Sequence, residues 1–206
     1  MLVSVAAGVA VCVDVMVFRT GCAESELVEL LQLACLLSTG SLAACAAVRC
    51  SWLRGGFTLI SGLFFSMAVR EMDWVLDNIV HGCWVYPAVA IAVVSVAIAV
   101  CRPGSTLAGL ERVRRERNFQ LLAVGLFAVF AFSRILGYKG LWMADGNLAQ
   151  LRMAKRIAEE SVELFGYLLI ACWAVMFFAR YIRPSAKDRA FRKEAGENRG
   201  TRSLTR

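Results

Sequence analysis

The sequence contains almost no histidine and none of the short motifs that usually identify an enzyme. His81 is the only histidine among 206 residues, which is too few for the multi-histidine sites of most zinc enzymes. The eight cysteines form no Cys-x-x-Cys pair, so the signature of a zinc ribbon or a thioredoxin-like centre is missing. Nucleotide-binding, protein-kinase and zinc-protease signatures are also absent from the sequence. The common motif-based assignments of function are therefore excluded.

Apolar residues dominate what is present. They make up 59% of the chain and give a mean hydropathy of +0.61, whereas soluble domains are about 45–50% apolar. The net charge of +7 arises from basic residues in the connections between apolar runs and in the C-terminal tail. That distribution is typical of membrane orientation rather than nucleic-acid binding. We expect the lipid bilayer to be a partner and nucleic acid not to be one.

Six apolar segments are candidates for membrane spans, which need about 20 apolar residues each. We predict an all-α fold, an integral membrane helical bundle of about six transmembrane helices, in residues 1–183. A basic, disordered cytoplasmic tail is expected at residues 184–206. The candidate spans are Leu2–Phe18, Leu27–Val48, Phe57–Val69, Trp84–Cys101, Phe119–Leu136 and Ile157–Ala179.

Two of these helices are expected to extend beyond their apolar segments. The third should begin near Trp52 and continue through Asp77, because no glycine or proline interrupts the chain between Arg70 and Gly82. The sixth should begin near Asp145, which is suited to cap it. The segments 102–117 and 49–54 are expected to be connections between spans.

The basic residues predict the orientation. With the N-terminus inside, most of the 23 lysines and arginines fall in the inner connections and the tail, so both termini should be cytoplasmic. The short loops favour a bacterial inner membrane. Most of the 16 acidic residues then fall at or near the outer face, although they were not used to assign the orientation.

The outer acidic residues predict a polar pocket at the outer ends of the second, third, fifth and sixth spans. Charged groups inside a membrane are costly and usually face the bundle interior or a wet cavity. Arg70 is placed to pair with Asp73, Glu71 should point to another face, and Glu163 lies deep in its span with no local cation. The expected ligand- or proton-binding residues are Glu29, Asp73, Asp77, His81, Arg134 and Glu163.

A divalent metal is one hypothesis for this pocket. Asp77 and His81 are four residues apart, so they would be neighbours on a helix, and Glu163 would complete a first set of ligands. Carboxylate and imidazole ligands suit zinc, manganese or iron. The alternative is a structural network of ion pairs and hydrogen bonds, because one histidine makes a poor zinc site.

The pair Glu159-Glu160 resembles part of the Glu-Glu-x-x-x-Arg motif of an intramembrane protease family. That resemblance fails because Leu164 occupies the arginine position and the family's histidine motifs are missing. We expect Glu159 and Glu160 to pair instead with Lys155 and Arg156, one helical turn earlier.

Three functions remain open from the sequence. In the first, the polar pocket binds a ligand, proton or cation, alone or in a complex with a membrane-protein partner or further copies of the chain. In the second, the protein is a membrane-embedded hydrolase or transferase on a lipid-like substrate, using metal or acid–base chemistry at Asp77, His81 and Glu163. In the third, it is a structural or assembly partner without a site.

Overall fold

The computed structural model describes residues 26–77, 81–138, 140 and 148–182, and no strand occurs in these ranges. The first predicted span, the start of the last helix near Asp145 and the predicted tail lie outside the described residues. A short 3₁₀ turn, Ser51–Leu53, links the first two helices. In chain order the helices are α1 Glu26–Arg49, α2 Arg54–Glu71, α3 Asp73–Asp77, α4 Val85–Val100, α5 Pro103–Arg114, α6 Phe119–Leu136 and α7 Leu148–Ile182.

Four stretches of this helical chain are long and apolar enough to cross a membrane, one in each of α1, α2, α6 and α7. Helices α4 and α5 qualify together as a fifth candidate, although a bend of 107° separates them. The predicted all-α membrane fold is confirmed, and four or five such helices are compatible with the expected six. The bounds of α6 match the prediction, and those of α4 lie within one residue of it.

The core lies between α1, α2 and α7. Phe57 on α2 meets the edges of Phe177 and Phe178 on α7, with ring centroids 5.8 and 5.2 Å apart, and Trp173 stacks on Phe177 at 5.2 Å. All four side chains are buried. Aromatic pairs in these geometries add to the packing that holds helices together in lipid. Helices α2 and α7 are therefore fixed against each other.

Close backbone approach holds α5 onto the start of α2. A Cβ atom added at Gly56 would lie 2.7 Å from the Cα of Gly109, so both positions need glycine. The same device joins α6 to α7, where a Cβ on Gly125 would lie 2.8 Å from the carbonyl oxygen of Gly166. Small residues allow this kind of contact between membrane helices.

The predicted end of the third span is wrong. Helix α2 does not continue through Asp77: it ends at Glu71, and the N–H of Met72 closes its last turn on the carbonyl of Val69 at 3.2 Å. A new short helix, α3, then begins at Asp73. The break at Met72 therefore prevents one helical stripe from running through Arg70, Asp73, Asp77 and His81.

The predicted connection at 102–117 contains a helix, α5.

Helix α6 contains an irregular turn. Residues Ala128–Phe132 form a π-helical segment between the α-helical stretches Phe119–Phe127 and Ser133–Leu136. A π turn is wider than an α turn and changes which side chains face a neighbouring helix. Its position just before Ser133 determines how that residue meets α7.

The bundle has two chemically different ends. At one end, which we call the carboxylate end, α2 and α6 finish and α7 begins, and Gln32 of α1 donates a hydrogen bond to the backbone oxygen of Glu160 at 3.3 Å. At the opposite end, which we call the arginine end, α1 finishes and α2 begins. There Arg180 of α7 pairs with Glu116 at 2.8 Å.

Candidate functional site

Glu71 lies at the carboxylate end and points into the bundle. Its Oε1 accepts a hydrogen bond from the hydroxyl of Tyr167 on α7 at 2.7 Å and is 2.6 Å from Nη2 of Arg70. The Tyr167 side chain is fully buried. The expectation that Glu71 points to another face than Arg70 is wrong, and Arg70 pairs with Glu71 instead of Asp73.

Glu163 forms the second half of the site. It is only 8% exposed, and its Oε1 accepts a hydrogen bond of 2.6 Å from the hydroxyl of Ser133 on α6. Nη2 of Arg134 lies 3.7 Å from the same oxygen, and the Arg134 side chain is 56% exposed. The structure therefore brings together two of the predicted site residues, Arg134 and Glu163.

The π-helical segment explains how two consecutive residues of α6 reach one carboxylate. Neighbouring residues on an α-helix point about 100° apart, yet Ser133 and Arg134 both approach Oε1 of Glu163. Both follow immediately after the wide turn at Ala128–Phe132. Single π turns inside α-helices often occur at functional sites, so this irregularity marks the same place as the buried carboxylate.

These side chains form one cluster across three helices. Glu163 and Tyr167 are one turn apart on α7, and the charge of Glu163 interacts with those of Glu71, Arg70 and Arg134. We call the set of six residues the polar cluster: Arg70, Glu71, Ser133, Arg134, Glu163 and Tyr167. It contains two carboxylates, two guanidinium groups and two hydroxyl groups, so its formal charges balance.

The structure does not bring Asp77 and His81 into this cluster. Glu29 is half-buried on α1, and Asp73 is exposed at the start of α3. Asp77 closes a turn: its Oδ1 accepts the N–H of Gly82 at 2.8 Å, and its Oδ2 is 3.1 Å from Nδ1 of His81. The His81 side chain is 97% exposed, so this predicted neighbour pair lies at the surface.

No metal centre is formed by the described residues. Within the ranges that the structure describes, no group of three or more histidine, cysteine, aspartate or glutamate side chains is close enough to hold a metal ion. Glu163 is thus not brought together with Asp77 and His81. The contacts of Asp77 are those of a residue that stabilises a turn with a positive-φ glycine, Gly82.

The expected pairs on the first part of α7 are confirmed. Lys155 lies 3.5 Å from Glu159, and Arg156 lies 2.8 Å from Glu160, each across one turn. These residues are partly exposed, and exposed pairs of this kind contribute little to stability. They explain the acidic pair without a catalytic role.

Ser133, whose hydroxyl contacts Glu163, is fully buried. Comparison with protein-family models, curated proteins and solved structures gives no match. The site offers a buried carboxylate, one hydroxyl group that donates to it, and an exposed arginine 3.7 Å away.

Proposed function

We propose that this is a multi-pass protein of a bacterial inner membrane that binds a proton at Glu163, with both termini in the cytoplasm. The observation that carries the proposal is the weak neutralisation of a buried carboxylate. Glu163 is 8% exposed, yet its nearest cation is 3.7 Å away and largely in solvent. A charge held inside a membrane protein needs a partner, and a proton can take that place.

Arg134 is suited to leave Glu163. The distance of 3.7 Å exceeds that of a hydrogen bond, and ion pairs with an exposed member are worth about 0–1 kcal/mol. Little free energy is therefore lost when Arg134 turns to solvent. The charge of Glu163 then faces only that of Arg70, which Glu71 already contacts at 2.6 Å, and a proton can neutralise Glu163 without additional space.

Ser133 can serve both states of Glu163. Its hydroxyl donates to Oε1 when Glu163 is ionised. Because a hydroxyl group can also accept a hydrogen bond, it can turn to accept one from the protonated acid. The contact between α6 and α7 is then kept whether or not the proton is bound.

Glu71 provides a contrasting carboxylate in the same cluster. It has two direct donors, Arg70 at 2.6 Å and Tyr167 at 2.7 Å, so its negative charge is neutralised by a contact of full hydrogen-bond strength. Glu163 has one neutral donor at that distance. The proton is therefore assigned to Glu163 and a structural role to Glu71.

Charge asymmetry supports the orientation of the bundle. Exposed arginines at the arginine end include Arg49, Arg102 and Arg117, and basic residues favour the cytoplasmic side. The polar cluster then faces the opposite side of the membrane. The exposed valines of α4, among them Val89, Val93 and Val100, support contact with lipid or with a membrane-protein partner or a second copy.

Infrared spectroscopy of the protein reconstituted in lipid tests the proposal. A protonated carboxylic acid has a C=O stretching band that an ionised carboxylate lacks. We expect such a band to appear as the pH falls, and we expect Glu163→Gln to lack one component of it while the components of the chain's other acids remain. The matched control is Glu116→Gln, which removes a carboxylate that is just as buried but paired with Arg180 at 2.8 Å.

The control should keep that component, and both variants should be checked for folding by circular dichroism and thermal unfolding. An acid band of Glu163→Gln that equals the native band at every pH would refute proton binding at this residue. So would the absence of any titrating band in the native protein.

A further inference from the structure

A groove runs along the outside of α1 and α2 near the arginine end. It encloses about 190 Å³, and most of its lining surface is apolar. The residues that line it come from the last turns of α1 and the first turns of α2: Ala44, Ala47, Val48, Arg54, Thr58 and Ser61. Small side chains on both helices leave this space open.

We propose that this groove binds an anionic phospholipid, with the phosphate at Arg54 and the upper part of one acyl chain along the alanines. This site lies at the opposite end of the bundle from the polar cluster and does not depend on the proposed proton binding. The proposal is based on the placement of Arg54, the length and lining of the groove, and the charges at the arginine end.

Arg54 is held at the groove with donors to spare. Its Nε donates a hydrogen bond to the backbone oxygen of Ala47 at 3.2 Å, which fixes the side chain across the gap between α1 and α2. Among the described residues no carboxylate lies within 4 Å of it, because none of the ion pairs in those ranges includes Arg54. The two Nη groups can therefore bind phosphate oxygens in a forked geometry.

The groove has the length and the apolar lining expected for the upper part of an acyl chain. Ser61 is seven residues further along α2 than Arg54, which corresponds to about 10 Å. The Ser61 hydroxyl donates to the backbone oxygen of Gly40 at 3.0 Å, so it presents no free polar group to the groove. A chain can pass inward from Arg54 along apolar surface.

The surroundings of Arg54 match a lipid headgroup region. Arg54 is the first residue of α2, an 18-residue helix, and the positive end of a helix dipole also favours an anion. Trp52 is exposed close by, as is typical of tryptophan at a membrane interface. Helix, guanidinium and indole thus indicate the level at which phospholipid phosphates lie.

A phospholipid fits the charge better than a second copy of the chain does. Another copy would need a free carboxylate to meet Arg54. The acids described at this end are already engaged, since Glu111 binds Arg114 and Arg115, and Glu116 binds Arg180. A zwitterionic phospholipid would bring its own cation to an end of the bundle where Arg49, Arg102 and Arg117 are already exposed.

The test is lipid binding by the full-length protein in detergent. We expect phosphatidylglycerol to raise the unfolding temperature in a saturable way and to remain bound in native mass spectra. Phosphatidylcholine with the same chains should do so much less, and soluble glycerol phosphate should not. Arg54→Gln should weaken phosphatidylglycerol binding about tenfold, the typical value of a charge-assisted contact.

Further variants separate the headgroup from the chain. Ala44→Phe should fill the groove and reduce binding while Arg54 is intact, and Arg54→Lys should recover part of the binding because it keeps the charge. Arg117→Gln, at an exposed arginine of the same end that does not line the groove, should bind as the native protein does.

Three results would overturn the proposal. Equal binding of phosphatidylcholine would show that charge is not recognised, and equal stabilisation by glycerol phosphate would show that the groove takes no acyl chain. Unchanged phosphatidylglycerol binding in both Arg54→Gln and Ala44→Phe would place the lipid elsewhere. The groove would then be left to residues 1–25 or to a second copy.

Discussion

The two ends of the bundle carry their charges in different ways. At the carboxylate end, Glu71 and Glu163 point between helices and are contacted by residues far away in sequence, Tyr167 and Ser133. At the arginine end, Glu111 pairs with Arg114 and Arg115 within one turn of its own helix or directly after it. The first arrangement buries the carboxylates between helices, and Glu111 is partly exposed. Glu116 is the exception at the arginine end: it is buried, and Arg180 contacts it directly at 2.8 Å.

The sequence alone does not show which charged residues are exposed on the rim of the bundle and which are buried inside it, whereas the structure does. Exposed arginines on the rim of a helical bundle serve orientation, since cations are cheap where water reaches them. Carboxylates inside the bundle are costly, and those of the polar cluster join α7 to α2 and to α6. A functional site is therefore expected at the carboxylate end.

The largest loss of stability is expected from a substitution at the close backbone contact between α2 and α5. Gly56→Val should cost about 3 kcal/mol or more, because the added Cβ would meet the Cα of Gly109 at 2.7 Å and a backbone cannot rotate away. Thermal unfolding in detergent measures the loss. Gly104→Ala is the control: a Cβ there has no neighbour within 4 Å, and stability should change by about 0.5 kcal/mol or less. Equal effects would show that α5 is not held by this crossing.

A matched pair of tyrosines compares the two ends directly. Tyr167→Phe removes the hydroxyl that donates to Glu71 inside the bundle and should cost about 1.5–3 kcal/mol. Tyr181→Phe removes the hydroxyl that accepts a hydrogen bond from the exposed Arg112 at 2.8 Å and should cost about 1 kcal/mol or less. Both losses are measured by unfolding of the purified protein. A larger loss from Tyr181→Phe would reverse the comparison.

The smallest change in stability is expected from the exposed arginine beside Glu163. Arg134 is 56% exposed and lies 3.7 Å from the carboxylate, so replacing it with glutamine should cost about 1 kcal/mol or less. Arg134→Gln should nevertheless strengthen the carboxylic-acid band of Glu163 at a given pH, because it removes the nearby positive charge. Arg180→Gln should leave that band as it is. An acid band of Glu163 that is unchanged in Arg134→Gln would show that Arg134 does not act on this carboxylate.

The sequence predicted the spans well because a membrane helix must satisfy its backbone hydrogen bonds internally. An uninterrupted apolar run bounded by charges, such as Phe119–Leu136, therefore has to be helical over its whole length. Glu163 and Arg134 were also accessible to sequence reasoning. An acid deep in a span without a cation on its own helix needs a partner from another helix.

Other parts of the site were missed for identifiable reasons. Asp73 and Asp77 were misplaced because the helical register was extended past Met72, where no glycine or proline announces the end of α2. Ser133 was overlooked because a regular period cannot reveal a π turn. Tyr167 did leave a signal, since it lies one turn after Glu163. Helix α5 left one as well, with Pro103 at its first position and arginines in its last turn.

The wide turn in α6 also has an evolutionary consequence. A π segment holds one more residue than an α-helical turn of the same rise, so the loss of one residue from it would restore a regular α-helix. When relatives of this chain are aligned, we expect those that keep the Ser133–Glu163 contact to carry the extra residue between positions 128 and 132. Relatives with a one-residue gap there should also have lost the serine or the acid, and their ancestry would date the origin of the site.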